Sequence, residues 1–327
     1  GTMSFTPKDR SDWRTFILGG FRIQLLQTFG KPPTDADLNE KLHVCWPTHA
    51  DGHTAFYRSP MYYKQYFAKG SDAHFHPMMN TPGDTDLMYL AARLRAAQAR
   101  GDSRVNVPER LLARRDELVA EEKERPARAK AWIEELVAKL NGERVFILAP
   151  AQLIYDVAKP ALAEGKKCNF APNSCVTAGT GGKGFNMPDD WEQVVDDFLN
   201  FGHHYGYFYS FSEQCGLHVQ CEHGRLHLSP WSIPLILDPQ TSELLPREGR
   251  HKGRAAFFDL AMNGAWGGLI TGDSVEIDWS ECPCGRTTAH LSPTITRFSV
   301  EQGGTDKISC TATPEAHDDA MNFLTNF

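Results

Sequence analysis

Three thiols and one imidazole, held in two short clusters, constrain this 327-residue chain more than any other feature. Cys221 and His227 are separated by five residues in the segment C-E-H-G-R-L-H, which reads as a hairpin. Some 55 residues further on, Cys282-Pro283-Cys284-Gly285-Arg286 reads as a tight turn offering two more thiols. Three sulfurs and one imidazole match a closed tetrahedral zinc site, structural because no position is left for a catalytic water. Cys215 and His218 precede Cys221 at C-x2-H-x2-C spacing and compete as ligands from the same segment. Buried, reduced cysteines beside incidental histidines are the alternative to a metal.

The remaining composition bounds the setting of that cluster. Hydrophobic content of 41% and charged content of 23% are ordinary for a soluble globular protein. The length exceeds what one compact core serves, which predicts two lobes. A net charge of -7 supplies no basic excess to neutralise phosphates, so no nucleic-acid partner is expected. No apolar run approaches the ~20 residues that span a bilayer, and the start lacks a charged-then-apolar leader. A cytoplasmic location follows as the expectation. In that compartment eight cysteines, five of them from Cys215 onward, point to metal or thiol chemistry rather than disulfides.

Periodicity predicts a short helix within residues 1–30 and a helix from Thr85 to Ala99 stopped by Gly101. A longer helical stretch runs from Pro108 to Leu140, with a break expected at Pro126. Arg144–Pro150 reads as a buried strand, Gln152–Leu162 and Asp190–Phe201 as helices. Beyond Ser212 the segments Arg225–Ser229, Ile233–Asp238, Ala255–Leu260, Gly268–Thr271 and Ser274–Asp278 read as strands.

Four short motifs occur in order: Gly179–Phe185 (GTGGKGF), Tyr209–Glu213 (YSFSE), Thr271–Asp273 (TGD) and Cys282–Arg286 (CPCGR). Over about residues 140–310 this series resembles the acyl-protein synthetases of bacterial luciferase systems. More distantly it resembles the phenylacetate–CoA ligases, both within the adenylate-forming superfamily. The resemblance implies an α/β fold like the large domain of those enzymes: mixed sheets with flanking helices and a β-rich C-terminal segment. It also implies a division into an N-terminal helical and mixed lobe (1–142), a nucleotide- and zinc-binding α/β lobe (143–296) and a short C-terminal tail (297–327). About 30 residues follow Arg297, so no full mobile C-terminal lobe is expected.

In the family pattern Gly179, Gly181 and Gly182 let backbone approach adenine closely, with Lys183 beside them in the same loop as a catalytic candidate. Tyr209 is placed near adenine, Ser212 near phosphate, and Glu213 on magnesium. Asp273 corresponds to the carboxylate that accepts from the ribose hydroxyls, and Arg297 to an arginine contacting ribose or phosphate. Cys310, with Lys307 nearby, corresponds to the thiol that accepts the acyl group. Taken singly these residues also suit structural roles: Ser212-Glu213 as a cap, TGD as a turn, Lys183 as a surface lysine, Cys310 as a strand cysteine.

The implied function is activation of a fatty or aromatic carboxylic acid with ATP and Mg2+, alongside structural Zn2+. The acyl group then passes to a thiol, and an acyl-acceptor protein or reductase is the implied partner. Tyr205, Tyr207, Phe208 and Trp231 are candidate walls of an acyl pocket. One part of the pattern is missing, since no Ser/Thr/Gly-rich phosphate loop precedes the adenine loop. The nearest segment, Thr48–Ser59, carries one glycine with His49, His53 and Arg58. The second expectation is therefore a catalytically degenerate homologue that serves as a nucleotide- or acyl-binding partner subunit.

Overall fold

The computed structural model describes residues 39–53, 55–102, 104–149, 151–179, 188–200, 206–211, 213–262, 268–304 and 314–327. The helix expected within residues 1–30 lies outside them. The described residues form two compact units, each assembled from separated stretches of chain.

The first unit takes residues 41–174, 188–200 and 314–327. Its strands β1 (His43–Asp51), β2 (Phe75–Pro82) and β3 (Val145–Ala149) are parallel, in the order β2-β1-β3. Helix α1 (Ala55–Tyr66) carries the chain from β1 to β2. Helix α2 (Thr85–Arg100), a short turn at Glu109–Leu112 and α3 (Arg115–Lys139) carry it from β2 to β3. Helices α4 (Ala151–Ala163), α5 (Trp191–Leu199) and α6 (Pro314–Thr325) complete the unit. Strand order 2-1-3 places a topological switch between β1 and β3.

The limits of α2 follow from its sequence. The Asp84 carboxylate accepts from the Leu87 amide at 2.9 Å, and Gly101 ends the helix at φ +70°. Leu87, Leu90, Ala91 and Leu94 recur at helical spacing and bury against Leu111, Leu118, Ala320, Met321 and Leu324. The break expected at Pro126 does not occur, because α3 runs through it unbroken. Proline in a helix interior costs about 3 kcal/mol. Burial of Leu118 on one side and of Trp132, Ile133 and Leu136 on the other holds both halves of the helix to the unit. Under the sheet, Phe67 and Phe146 stack at 4.3 Å between ring centres.

Three histidines gather where β1 and β2 begin. His43 Nδ1 lies 2.9 Å from His76 Nε2, and the His43 ring stacks on His74 at 4.4 Å. Burial, followed by the charges His74 and His76 would carry, lowers the His43 pKa from 6.5 to about 4, against a smaller opposing pull from Glu143. Burial lowers the His76 pKa as well, with Glu135 pulling against it and Lys139 with it. A histidine whose folded pKa is depressed binds fewer protons folded than unfolded between those two values. The stabilisation from neutral His43 is complete above pH 6.5 and is lost as pH falls toward about 4. Thermal melts from pH 7.5 downward should show a falling midpoint across that window, with a shallower slope in His43→Gln; parallel slopes would refute the assignment.

The second unit contains β4 (Cys175–Gly179), β5 (Gly206–Tyr209), β6 (His218–Gln220), β7 (Leu226–His227), β8 (Ser232–Leu237), β9 (Arg250–Asp259), β10 (Gly268–Asp278), β11 (His290–Leu291) and β12 (Thr296–Arg297). They hydrogen-bond in the order β4-β5-β6-β7-β11-β10-β9-β8, with β12 also on β10. Only β4 and β5 are parallel; every other pairing is antiparallel. Tyr209, Leu226, Ile236, Phe257, Val275, Ile277 and Leu291 make its core. The mixed α/β fold expected from the sequence is the one observed. The strands expected at Gly268–Thr271 and Ser274–Asp278 are one continuous strand. Among the described residues no helix is long and apolar enough to cross a membrane.

Candidate active site and metal centre

The bulge in β10 explains why Thr271-Gly272-Asp273 reads as a turn without ending the strand. Ile270 pairs with Ala256 and Ser274 with Arg254, so the segment between them holds two extra residues of β10. The bulge is pinned from within and from β9. Thr271 Oγ1 donates to the Ala255 carbonyl at 2.9 Å and accepts from the Asp273 amide at 3.1 Å. Arg254 Nε donates to the Thr271 carbonyl at 2.7 Å.

This local geometry turns Asp273 into the unit, where it is 2% exposed. Its Oδ2 accepts from the Tyr209 hydroxyl and its Oδ1 from Arg297 Nη1, both at 2.8 Å. Register places Arg297 there, since β12 pairs with β10 at Asp273. Burial first, and the adjacent carboxylate second, push the Tyr209 hydroxyl well above its usual pKa, so it stays a donor. Three residues singled out in sequence, 64 and 24 positions apart, thus meet on one carboxylate. The Tyr209 ring is 1% exposed and packs among Phe211, His218 and Phe257.

Glu213 lies in the β5–β6 connection that starts immediately after Tyr209. It is half-buried, and among the described residues no cation pairs with it. Gly179 ends β4 and pairs with Phe208 of β5 in parallel register. Gly181, Gly182, Lys183, Ser212, Tyr205 and Cys310 lie outside the described residues. Of the other aromatic candidates, Tyr207 and Phe208 are half-buried on β5, and Trp231 Nε1 donates to the Cys215 carbonyl at 3.2 Å.

Cys221, His227, Cys282 and Cys284 converge in the same unit, with one ligand atom of each within 4.8 Å of the others. Cys221 Sγ and Cys282 Sγ are 3.8 Å apart, and Cys284 Sγ is 3.2 Å from His227 Nε2. Zinc–sulfur bonds of about 2.3 Å put two sulfurs of a regular tetrahedron about 3.8 Å apart, so the sulfur pair fits one ion. Thr288 Oγ1 engages His227 Nδ1 at 3.1 Å, leaving Nε2 for the thiols. Burial, with the neighbouring thiols adding to it, pushes the Cys221 thiol up to about 12. Without a cation Cys221 therefore keeps its proton; a divalent ion would draw out the thiolate.

The convergence rests on two copies of one turn. Cys221 donates to the Arg225 carbonyl at 2.8 Å and Gly224 to the Cys221 carbonyl at 2.8 Å. Likewise Cys282 donates to Arg286 at 3.2 Å and Gly285 to Cys282 at 2.9 Å. Gly224 and Gly285 hold φ of +72° and +82°, where a side chain is strained. The signal is present in the sequence as a repeated C-x-x-G-R, which a reading by cysteine spacing alone passes over.

The competing pair lies elsewhere in the unit. His218 is fully buried, its Nδ1 accepting from the Ser229 amide at 3.1 Å, and burial lowers its pKa to about 3. Cys215 Sγ donates to the Met262 sulfur at 3.5 Å. Both are accounted for by packing.

No protein-family description and no curated protein matches the chain. Solved structures do. An open conformation of 2-hydroxyisobutyryl-CoA ligase, in complex with 2-HIB-AMP and CoA, aligns over 88% of this chain and 50% of its own. The TM-score is 0.50 at 13% identity. The chain shares the fold of that ligase over the aligned residues. It spans half the length of that ligase. A long-chain-fatty-acid-CoA ligase from Archaeoglobus fulgidus aligns over 53% of this chain and 37% of its own, with TM-score 0.38 and 11% identity. Amide bond synthetase McbA from Marinactinospora thermotolerans aligns over 50% and 33%, with TM-score 0.33 and 16% identity.

Proposed function

We propose that the chain activates a carboxylic acid as its acyl adenylate, with ATP and Mg2+, for transfer to a thiol. The observation carrying this reading is the meeting of Tyr209, Asp273 and Arg297 on a bulged strand of an adenylate-forming fold. A carboxylate held by one donor on each oxygen is rigidly placed, suited to positioning ribose hydroxyls when Arg297 swings to the nucleotide. Glu213, without a cationic partner among the described residues, is the acceptor available to magnesium. The ligase of similar fold is described with an acyl adenylate, 2-HIB-AMP, and with CoA, which supports this reaction class. Lys183 is proposed to meet phosphate and Cys310, or a thiol on a partner, to accept the acyl group.

The Cys221–His227–Cys282–Cys284 cluster is proposed to hold zinc as a brace for the strands that carry the site. Supplied there, the ion fastens β7 and the turn before β11 to one point, while the residues of β10 do the chemistry. ATP–pyrophosphate exchange over a panel of straight-chain and aromatic acids tests the function. Exchange dependent on one acid class is expected. Nucleotide binding without exchange for any acid would select the degenerate, partner-subunit reading instead.

A further inference from the structure

The meeting of Asp273 and Arg297 depends on a strand of two residues. β12 pairs with β10 at two positions, Arg297 with Asp273 and Thr296 with Ser274. So short a ladder specifies its register weakly, and a slip by one residue would set Thr296 or Phe298 opposite Asp273. A hold beyond the backbone ladder is needed to keep Arg297 in place.

Glu301 supplies that hold. It ends the helical turn Phe298–Glu301 that follows β12, and its carboxylate folds back on the strand the chain has just left. Thr296 Oγ1 donates to Glu301 Oε1 at 2.6 Å, and Lys252 Nζ of β9 lies 2.8 Å from the same oxygen. The hydroxyl of Ser274, which is 2% exposed, donates to this carboxylate as well. Lys252 first, then Ser274 and Thr296, draw the Glu301 pKa down to about 2, so the acceptor is charged at neutral pH. One side chain thus gathers β9, β10 and β12.

The three donors are not equal. The Lys252 side chain is 60% exposed, and exposed ion pairs contribute little. Ser274 and Thr296 set the position, because they face each other across the ladder. Successive residues of a strand point to opposite sides, so Ser274 and Thr296 share one side while Asp273 and Arg297 share the other. Fastening the first pair to Glu301 fixes the register of the second. Arg254 steadies the other flank: besides its bond to the Thr271 carbonyl, its guanidinium stands 5.6 Å from the centre of the Phe298 ring.

We propose that Glu301 is a positioning residue of the nucleotide site, clasping Ser274 to Thr296 so that Asp273 and Arg297 are presented together. Its effect on nucleotide rests on the adenylation reading; its hold on β12 rests on the register alone.

Two measurements on the full chain separate the hold from its consequence. Hydrogen–deuterium exchange of the nucleotide-free protein reads the hold. Peptides spanning 271–274 and 296–301 should take up deuterium roughly tenfold faster in Glu301→Ala, the worth of one charge-assisted hydrogen bond, with 43–51 and 221–225 at parental rates. Thr296→Val should loosen the same peptides about threefold, and adding it to Glu301→Ala should loosen them no further. Lys252→Ala should leave them near parental. Titration with Mg2+–ATP reads the consequence: Glu301→Ala should weaken binding roughly tenfold. In pyrophosphate exchange the same variant should raise KM for ATP and leave KM for the acid unchanged, a split that a general loss of stability does not produce. Unchanged protection at 271–274 and 296–301, faster deuterium uptake across the whole chain, or local loosening with parental ATP affinity would overturn the proposal. A parent chain that binds no ATP would sink the adenylation reading instead, and deuterium uptake would still decide whether Glu301 holds the register.

Discussion

Asp273→Ala should unfold at lower denaturant and show no pyrophosphate exchange under conditions where the parent turns over. Removing the carboxylate takes away the acceptor that the partly exposed Arg297 guanidinium and the buried Tyr209 hydroxyl each donate to at 2.8 Å. Breaking one partner out of a buried pair costs about 3–5 kcal/mol, far more than the pair contributes net when intact. Asp273→Asn keeps the shape and isolates the chemistry. It should remain near parental stability and lose roughly 100-fold in exchange, the scale of one positioned electrostatic contact. Tyr209→Phe supplies the contrast, because it removes the brace and leaves the carboxylate: a larger effect on urea midpoint than on exchange is expected. An Asp273→Asn protein with parental exchange would remove Asp273 from the nucleotide site.

Metal removal should produce the second large effect. Purified protein is expected to carry one zinc per chain, and Cys282→Ser or strong chelation should release it. Structural zinc contributes many kcal/mol where it nucleates a fold; in a unit with its own core the loss is partial. Several kcal/mol in a domain of this size lowers the melting midpoint by roughly 10 °C. The decisive controls are Cys215→Ser and His218→Gln, which should retain the metal because those side chains face Met262, Ser229 and Gln214. Zinc lost from Cys215→Ser and kept in Cys282→Ser would reverse the ligand assignment.

Much of the local structure was legible. Helix α2 was readable to within a residue because Asp84 and Gly101 are strong end signals and its leucines recur at helical spacing. Strand β3 and helix α4 were equally plain. The stretch before Gly83 was opaque, since its strands β1 and β2 are rich in His, Pro and Thr and lack alternation. Strand β1, paired on both sides, and β2, paired on one, draw their stability from neighbours, which a local pattern cannot report. Strand β10 reads as two strands for a related reason: Thr271-Gly272-Asp273 has turn chemistry, and only pairing with β9 and β12 keeps it in the sheet.

What the sequence determined by itself is the inventory of chemistry. Cys221, His227, Cys282 and Cys284 are named by spacing, and Tyr209, Asp273 and Arg297 by their place in an ordered series of motifs. Tertiary structure alone decided which of these touch. Choosing Cys221 over Cys215 depends on a turn with Gly224 in the left-handed region facing its twin at Gly285. The partners of Asp273 depend on a two-residue bulge and the register of β12. Contacts between residues 24 to 64 positions apart are set by backbone pairing and burial, which no local pattern of side chains encodes.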